Sequence, residues 1–383
     1  MKRLTSLDGL RGLAALIVLV HHIMLTFPLF AEPYLEGRAA KGVPELLAYT
    51  PLHALWDGRG AVVIFFVLSG VVLTLPVLKQ GRDFSWVGYY PQRLLRLYLP
   101  VWGAIILYLG WVLIIPRTTA MESAWLGITD KAVSPEALWG DATLLFGTGD
   151  LVTPLWSLQW EIAFSFLLPV FVFLGVRFAR YNWILAVAAV IGIAVSSSLG
   201  NRALVYLPMF LIGVVIATWL PTIRAWQPSR GTQALLLLSA PILLIFPWLI
   251  RPFETLRPLV EPSDAVTTIG AIIAVIAAIV VPIFRRFLES RVMQWFGLIS
   301  FSLYLVHEPV VISMAHLFGD QNLRIAGLVS VVVSIPLSWV FFKVVEIPSH
   351  KLSRRVGDAV RARTKKRPQP HAPIAPDIHA HQA

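Results

Sequence analysis

The sequence predicts an all-α, polytopic transmembrane helical bundle of about ten spans, and three observations carry that expectation. Of 383 residues, 57% are hydrophobic and only 14% are charged, against about 25% charged in soluble domains. The mean hydropathy is +0.73. Apolar windows of about 20 residues, the length that crosses a hydrocarbon layer, recur between charged or Pro/Gly-rich breaks.

Those windows lie near 10–30, 57–77, 95–115, 156–176, 182–199, 203–220, 233–250, 265–283, 298–317 and 324–345. The first follows Lys2 and Arg3 with no small-residue cleavage site, so it reads as a retained helix and not a signal peptide. The stretch 137–147 is too short to cross and is expected to be re-entrant or interfacial. Two long connections, 31–56 and 116–155, contain Trp56, Trp125 and Trp139, which suit an interfacial cap. From 351 the chain turns basic and then Pro/Ala/His-rich, a composition that cannot bury a core. The expected organisation is a membrane domain over 1–350 and a disordered cytoplasmic tail over 351–383.

Lys and Arg concentrate on the cytoplasmic side of membrane proteins. With both termini cytoplasmic and an even number of spans, most of the 32 basic residues fall inside, while acids such as Glu32, Glu122, Asp150 and Asp264 fall outside. The net charge of +11 therefore reflects topology in an integral plasma (inner) membrane protein and not nucleic-acid binding. The absence of cysteine excludes disulfides, thiolate catalysis and thiolate metal sites. His350, His371, His379 and His381 lie in or beside the tail, and no pair of them has both helical spacing and a third ligand, so no metal centre is expected.

Ionisable groups at membrane depth cost a few kcal/mol unless paired or hydrated, so each asks for a reason. Arg11 and His22 are eleven steps apart, which brings them within about 20° of one helical stripe and separates them by roughly 16 Å along the axis. His21 points about 80° away from that stripe. Asp8 sits three residues before Arg11 on nearly the same face. Ser69 and Gly70, in Phe65-Phe66-Val67-Leu68-Ser69-Gly70, allow close helix approach. Arg93 and Arg96 serve either as cytoplasmic anchors or as an anion site for phosphates. Glu161, just after Trp156 and Trp160 near the outer end of the fourth span, is either a structural hydrogen-bonding group or a substrate contact. Ser300, Tyr304 and His307 share one helical face.

These segments, Leu7-Asp8-Gly9-Leu10-Arg11-Gly12 with His22, the Phe65–Gly70 run, Arg93-Leu94-Leu95-Arg96, Leu155-Trp156-Ser157-Leu158 with Glu161, and Ser300-Phe301-Ser302-Leu303-Tyr304-Leu305-Val306-His307, resemble in order the signature of the acyltransferase-3 family of integral membrane O-acyltransferases. Glu346-Ile347-Pro348 is similar to its closing Glu-x-Pro, so the likeness runs from about residue 4 to 352. It covers the membrane domain only, with no C-terminal esterase-like domain. Ser165 stands where the family usually has an aromatic residue, and Ile162 where it often has an acid.

The resemblance implies transfer of an acyl group, commonly acetyl from acetyl-CoA or another acyl-CoA, to a hydroxyl of a carbohydrate, a lipid-linked glycan or an exported metabolite. It maps the family's arginine and histidine onto Arg11 and His22, with Asp8 alongside, and the family's Arg-x-x-Arg onto Arg93 and Arg96 as donor-binding residues with Ser69. Glu161, His307 and Tyr304 are then candidate acceptor contacts. A sugar hydroxyl is a weak nucleophile at neutral pH, and His22 can either remove its proton or carry the acyl group covalently. A secondary transporter or flippase, in which Arg, His and Glu bind substrate or relay protons, is the alternative.

Overall fold

In the computed structural model, residues 4–35, 41–117, 120–145 and 147–365 are described. Among them the chain is helical and contains no strand. The main helices are α1 (Thr5–Leu25), α2 (Gly58–Gln80), α3 (Trp86–Ile114), α4 (Leu155–Arg177), α5 (Asn182–Ser198), α6 (Arg202–Ala225), α7 (Arg230–Leu244), α8 (Asp264–Val280), α9 (Pro282–Leu288), α10 (Arg291–Phe318), α11 (Leu323–Phe341) and α12 (Ile347–Lys365). Side-chain caps fix several starts: Ser85, Asn201, Ser229 and Ser290 accept from backbone N–H groups in the first turns of α3, α6, α7 and α10.

Eight helical stretches among the described residues are long and apolar enough to span a bilayer, and α8 with α9 makes a ninth that bends by 90°. The expected window 233–250 breaks at Ile245, leaving α7 with 15 residues. The window 265–283 breaks at Val281, where Pro282 starts α9. Neither break interrupts the apolar run, so hydropathy alone does not locate it.

Helix termini divide the molecule into two faces. The ends of α2 and α12 and the start of α1 share one, called here the terminal face; the long connections cover the other, the loop face. There, Pro28–Leu35, Val43–Ala48 and Ala124–Thr129 form short helices around a small second core with Trp56 and Trp125 at 3% and 4% exposure. These two tryptophans are buried packing groups and not interfacial anchors; Trp139 is exposed. The segment at 137–147 contributes to the helix Pro135–Thr143, whose carbonyls at Ala142 and Thr143 accept from Trp102 and Tyr98, half-way along α3. It is re-entrant.

The tail expected from 351 does not begin there. A π-helical turn at Phe342–Glu346 joins α11 to α12, which continues to Lys365 and lies against α3. Gly88 and Gly357 face each other across that contact, and Arg361 donates to Gln92 at 2.8 Å. Two small residues thus let a charged helix dock, which composition does not reveal. Residues 366–383 lie outside the described residues.

Helix α1 packs extensively and closely against the deeply buried α10. A Cβ at Gly12 would collide with the backbone of Met293, Phe296 and Gly297, and one at Gly297 would collide with the carbonyl of Asp8. Gly70 and Gly213 make a similar crossing between α2 and α6. Gly297→Val should therefore destabilise the protein by about 1–3 kcal/mol or more, since backbone cannot yield as a side chain does. Gly192→Ala, where an added methyl meets nothing within 4 Å, should be neutral or mildly stabilising. Thermal unfolding in detergent checks both.

Candidate functional site

Two cavities lie inside the bundle and share a wall residue. The first, of about 120 Å³, opens toward the terminal face and is lined by Arg11, Ser69, Arg93, Arg96, Glu161 and Tyr304 among others. The second, of about 250 Å³, lies toward the loop face, with His21, His22, Arg59, Trp156, Tyr206 and again Tyr304 in its wall. Tyr304 is the one residue common to both linings. Its hydroxyl lies 2.7 Å from Ser157 Oγ and donates to the Pro154 carbonyl at 3.1 Å.

The first cavity is organised by ion pairs between antiparallel helices. Arg93, eighth in α3, and Glu161, seventh in α4, approach from opposite faces and pair within the bundle. Ser69 Oγ donates to the same carboxylate at 3.0 and 3.1 Å, while Arg93 Nε donates to Ser165 Oγ at 3.2 Å. Arg93 is buried and committed to these partners; Arg96, one turn on, is exposed to the cavity. Arg96 Nε donates to His350 Nε2 at 3.2 Å, and that ring lies 3.7 Å from Glu346, which accepts from Ser302 at 2.6 Å. The π-helical turn aims Glu346 inward, a common use of such turns. Arg11 donates to Ser300 Oγ at 2.9 Å and to the Gly297 carbonyl at 3.0 Å, with Asp8 3.8 Å away.

At the second cavity, His22 on α1 meets His307 on α10: His22 Nδ1 and His307 Nε2 are 2.9 Å apart. His307 Nδ1 lies 2.8 Å from the Leu303 carbonyl, and His22 Nδ1 lies 3.1 Å from that of Val18. A carbonyl only accepts, so both Nδ1 atoms carry protons. With neutral rings, the single Nδ1–H of His22 is shared between the Val18 carbonyl and His307 Nε2, and His22 Nε2 keeps its lone pair. The network thereby assigns the tautomer. His21 stands in the wall of the same cavity, its Nδ1 donating to the Trp56 carbonyl at 3.0 Å.

The sequence profile described as an acyltransferase domain matches residues 4–343. The chain belongs to the acyltransferase-3 family. Similarity extends to Acyltransferase MdmB of Streptomyces mycarofaciens, 28% identical with 83% of this chain and 82% of that protein covered. It extends likewise to O-acetyltransferase PaAT-1 of Phomopsis amygdali, 25% identical over 84% and 75% of the two chains. A putative peptidoglycan O-acetyltransferase, YrhL of Bacillus subtilis, is 25% identical over 73% of this chain and 48% of its own. No solved structure matches. The protein is thus a multi-pass membrane acyltransferase.

The geometry redistributes the acyltransferase-3 motifs. Arg11 and His22 line different cavities that share Tyr304, as their stripe on α1 allows. Asp8 stays at the terminal end beside Arg11, whereas the rings around His22 are His21, Trp125 and His307; Asp8 is not brought to the histidine. Glu161, expected among outer contacts, lies with Arg93 and Ser69 in the first cavity. His307, expected as an acceptor contact, lies against His22. Ser165 replaces the family's aromatic with an acceptor for Arg93. Among the described residues no group of three or more His, Asp or Glu side chains is placed to hold a metal ion.

Some participants carried little sequence signal. Glu308 is fully buried and accepts from the backbone N–H of Thr153 at 2.8 Å and from its hydroxyl, pinning the start of α4 beside Tyr304. Its only mark is a carboxylate in an apolar run. His350 looked like part of a tail, and only the docking of α12 brings it to Arg96. Above the second cavity, buried His53 lies 3.9 Å from Asp57. Burial raises Asp57 to about 7 and holds His53 well below the usual imidazole range.

Because Asp57 in the folded protein holds its proton to about pH 7, against 3.8 ordinarily, its contribution to stability falls as pH rises across that window. Asp57→Asn should flatten the slope of thermal stability between about pH 4 and 7. Glu161→Ala should cost about 3–5 kcal/mol by stranding the Arg93 charge, and the Glu161→Gln, Arg93→Gln double substitution should cost less than the two single ones together, read from unfolding in detergent.

Proposed function

We propose that the protein moves an acyl group, acetyl by preference, from acyl-CoA at a cytoplasmic terminal face to a hydroxyl of a carbohydrate or other exported acceptor. It would do so in the inner membrane, with His22 as general base. The observation that carries this reading is the pair of cavities on either side of Tyr304, cationic in one and histidine-lined in the other. O-acetyltransferase relatives support the choice of a hydroxyl acceptor and an acetyl group.

Arg11 and Arg96 border the first cavity and also both larger recesses, of about 520 and 350 Å³, that open beside it. Two guanidinium groups at such a junction suit the diphosphate of coenzyme A. The pantetheine arm would then extend past Ser69 and Glu161 toward Tyr304. Arg93 holds the wall in shape through Glu161.

In the second cavity the acceptor hydroxyl gives its proton to His22 Nε2 as its oxygen attacks the thioester carbonyl. The tetrahedral species collapses with cleavage of the C–S bond, and the departing sulfur takes the proton back from His22. The ester and free coenzyme A are the products. The hydrogen bond from His22 Nδ1–H to His307 steadies the imidazolium that forms between the two proton transfers.

His22→Gln should lower kcat by about 10²–10⁴ with little change in the KM for acetyl-CoA, measured as coenzyme A release by the full chain in nanodiscs with an acceptor panel. Arg96→Gln should instead raise that KM about tenfold, the effect of a lost charge-assisted hydrogen bond. Undiminished turnover in His22→Gln would remove the histidine from the chemistry, and vesicle uptake of substrate without acyl transfer would point to a transporter.

A further inference from the structure

The recess of about 350 Å³ at the terminal face is lined by Arg11, Arg96, His350, Lys351 and Arg354, with Glu346 as its one carboxylate. Lys351 and Arg354 stand on α12, the helix that sequence composition assigns to a tail and that lies beyond the matched residues 4–343. Among the described residues neither side chain has a hydrogen-bond or ion-pair partner, whereas Arg361 on the same helix pairs with Asp358 at 2.9 Å. Helix α12 is held in place by its contact with α3, so the two cations are presented from a fixed element.

Cations at this face serve many membrane proteins as topological anchors, and anchors need only face water. Lys351 and Arg354 instead border a concave recess that opens on the same two arginines as the first cavity. The recess bordered by Lys79 also carries one carboxylate, Asp8, but has three cationic side chains, Arg11, Lys79 and Arg96, against four here. The heavier cationic lining marks the first of these recesses as a place for a dianion set apart from the diphosphate.

We infer that Lys351 and Arg354 form a phosphomonoester subsite, and that they read the 3′-phosphate on the adenosine of the acyl donor. This rests on the acyl-CoA reading above and adds to it: with the diphosphate at Arg11 and Arg96 and the thioester toward Tyr304, the adenosine end is left outside the bundle, beside α12. The helix joined to the core by the π-helical turn thereby becomes part of donor selection.

The test compares acetyl-CoA with acetyl-dephospho-CoA, which lacks only the 3′-phosphate, using the full chain in nanodiscs with and without phosphatidylglycerol. The expected result is a KM roughly tenfold lower for acetyl-CoA, since a hydrogen bond to a charged group contributes about a factor of ten or more. The Lys351→Gln, Arg354→Gln double variant should bring the two KM values together, while Arg355→Gln, an exposed neighbour that does not line the recess, should keep them apart. Equal KM values in the unsubstituted protein, or a difference that survives in the double variant, would overturn the subsite while leaving acyl transfer intact. A KM that follows phosphatidylglycerol content and loses that dependence in the double variant would assign the two cations to lipid headgroups. Transfer from neither donor would overturn the acyl-CoA reading together with the subsite.

Discussion

The arrangement depends on how closely α1 can lie against α10. Gly12 on α1 and Gly297 on α10 leave no room for a side chain, so backbone meets backbone near the terminal face, and Gly9 likewise meets the backbone of Leu288 at the end of α9. From that contact the two helices run together, and the functional pairs are its consequences: Arg11 reaches Ser300 and the Gly297 carbonyl, and His22, three turns further, reaches His307. The glycines of Leu-Asp-Gly-Leu-Arg-Gly are therefore packing devices. Without them the arginine and histidine would share a stripe facing nothing in particular.

A second constraint is the cost of charge at membrane depth. Buried ionic groups persist only when paired and hydrogen-bonded, and here the pairing is graded along the bundle. Arg93, Glu161 and Ser69 satisfy one another, Glu346 is met by Ser302 and His350, and Arg59 is met by Asp264 at 2.6 Å. Arg96, exposed to the cavity, and Lys351 and Arg354, with no such partner, stand at the terminal face. The satisfied groups build walls and the less satisfied ones invite an anion, a division between scaffold and recognition that follows from desolvation alone.

Much of this was legible in the sequence because the relevant patterns are local. Hydropathy windows located the helices, helical periodicity put Arg11 and His22 on one stripe, and the order of short motifs gave the family. What stayed hidden depends on contacts between distant segments. The short span at α7 and the 90° bend at Pro282 lie within apolar runs that look continuous. Glu161 was placed by its position along α4, but its partner Arg93 comes from a helix running the opposite way. Asp8 was associated with His22 through a shared helix, although fourteen residues separate them and Asp8 stays beside Arg11. The docking of α12 needed Gly88 and Gly357 to meet, and a charged composition conceals that.

The central claim is that α10 fixes the proton of His22 on Nδ1 and leaves Nε2 free toward the second cavity. Nitrogen NMR of the histidine-labelled protein in nanodiscs, with His22→Gln and His307→Gln samples for assignment, tests it directly. The account predicts a protonated Nδ1 and an unprotonated Nε2 at His22, with the Nδ1 signal perturbed when His307 is replaced. A His22 ring protonated on Nε2, or one whose signals are unmoved by the loss of His307, would contradict it.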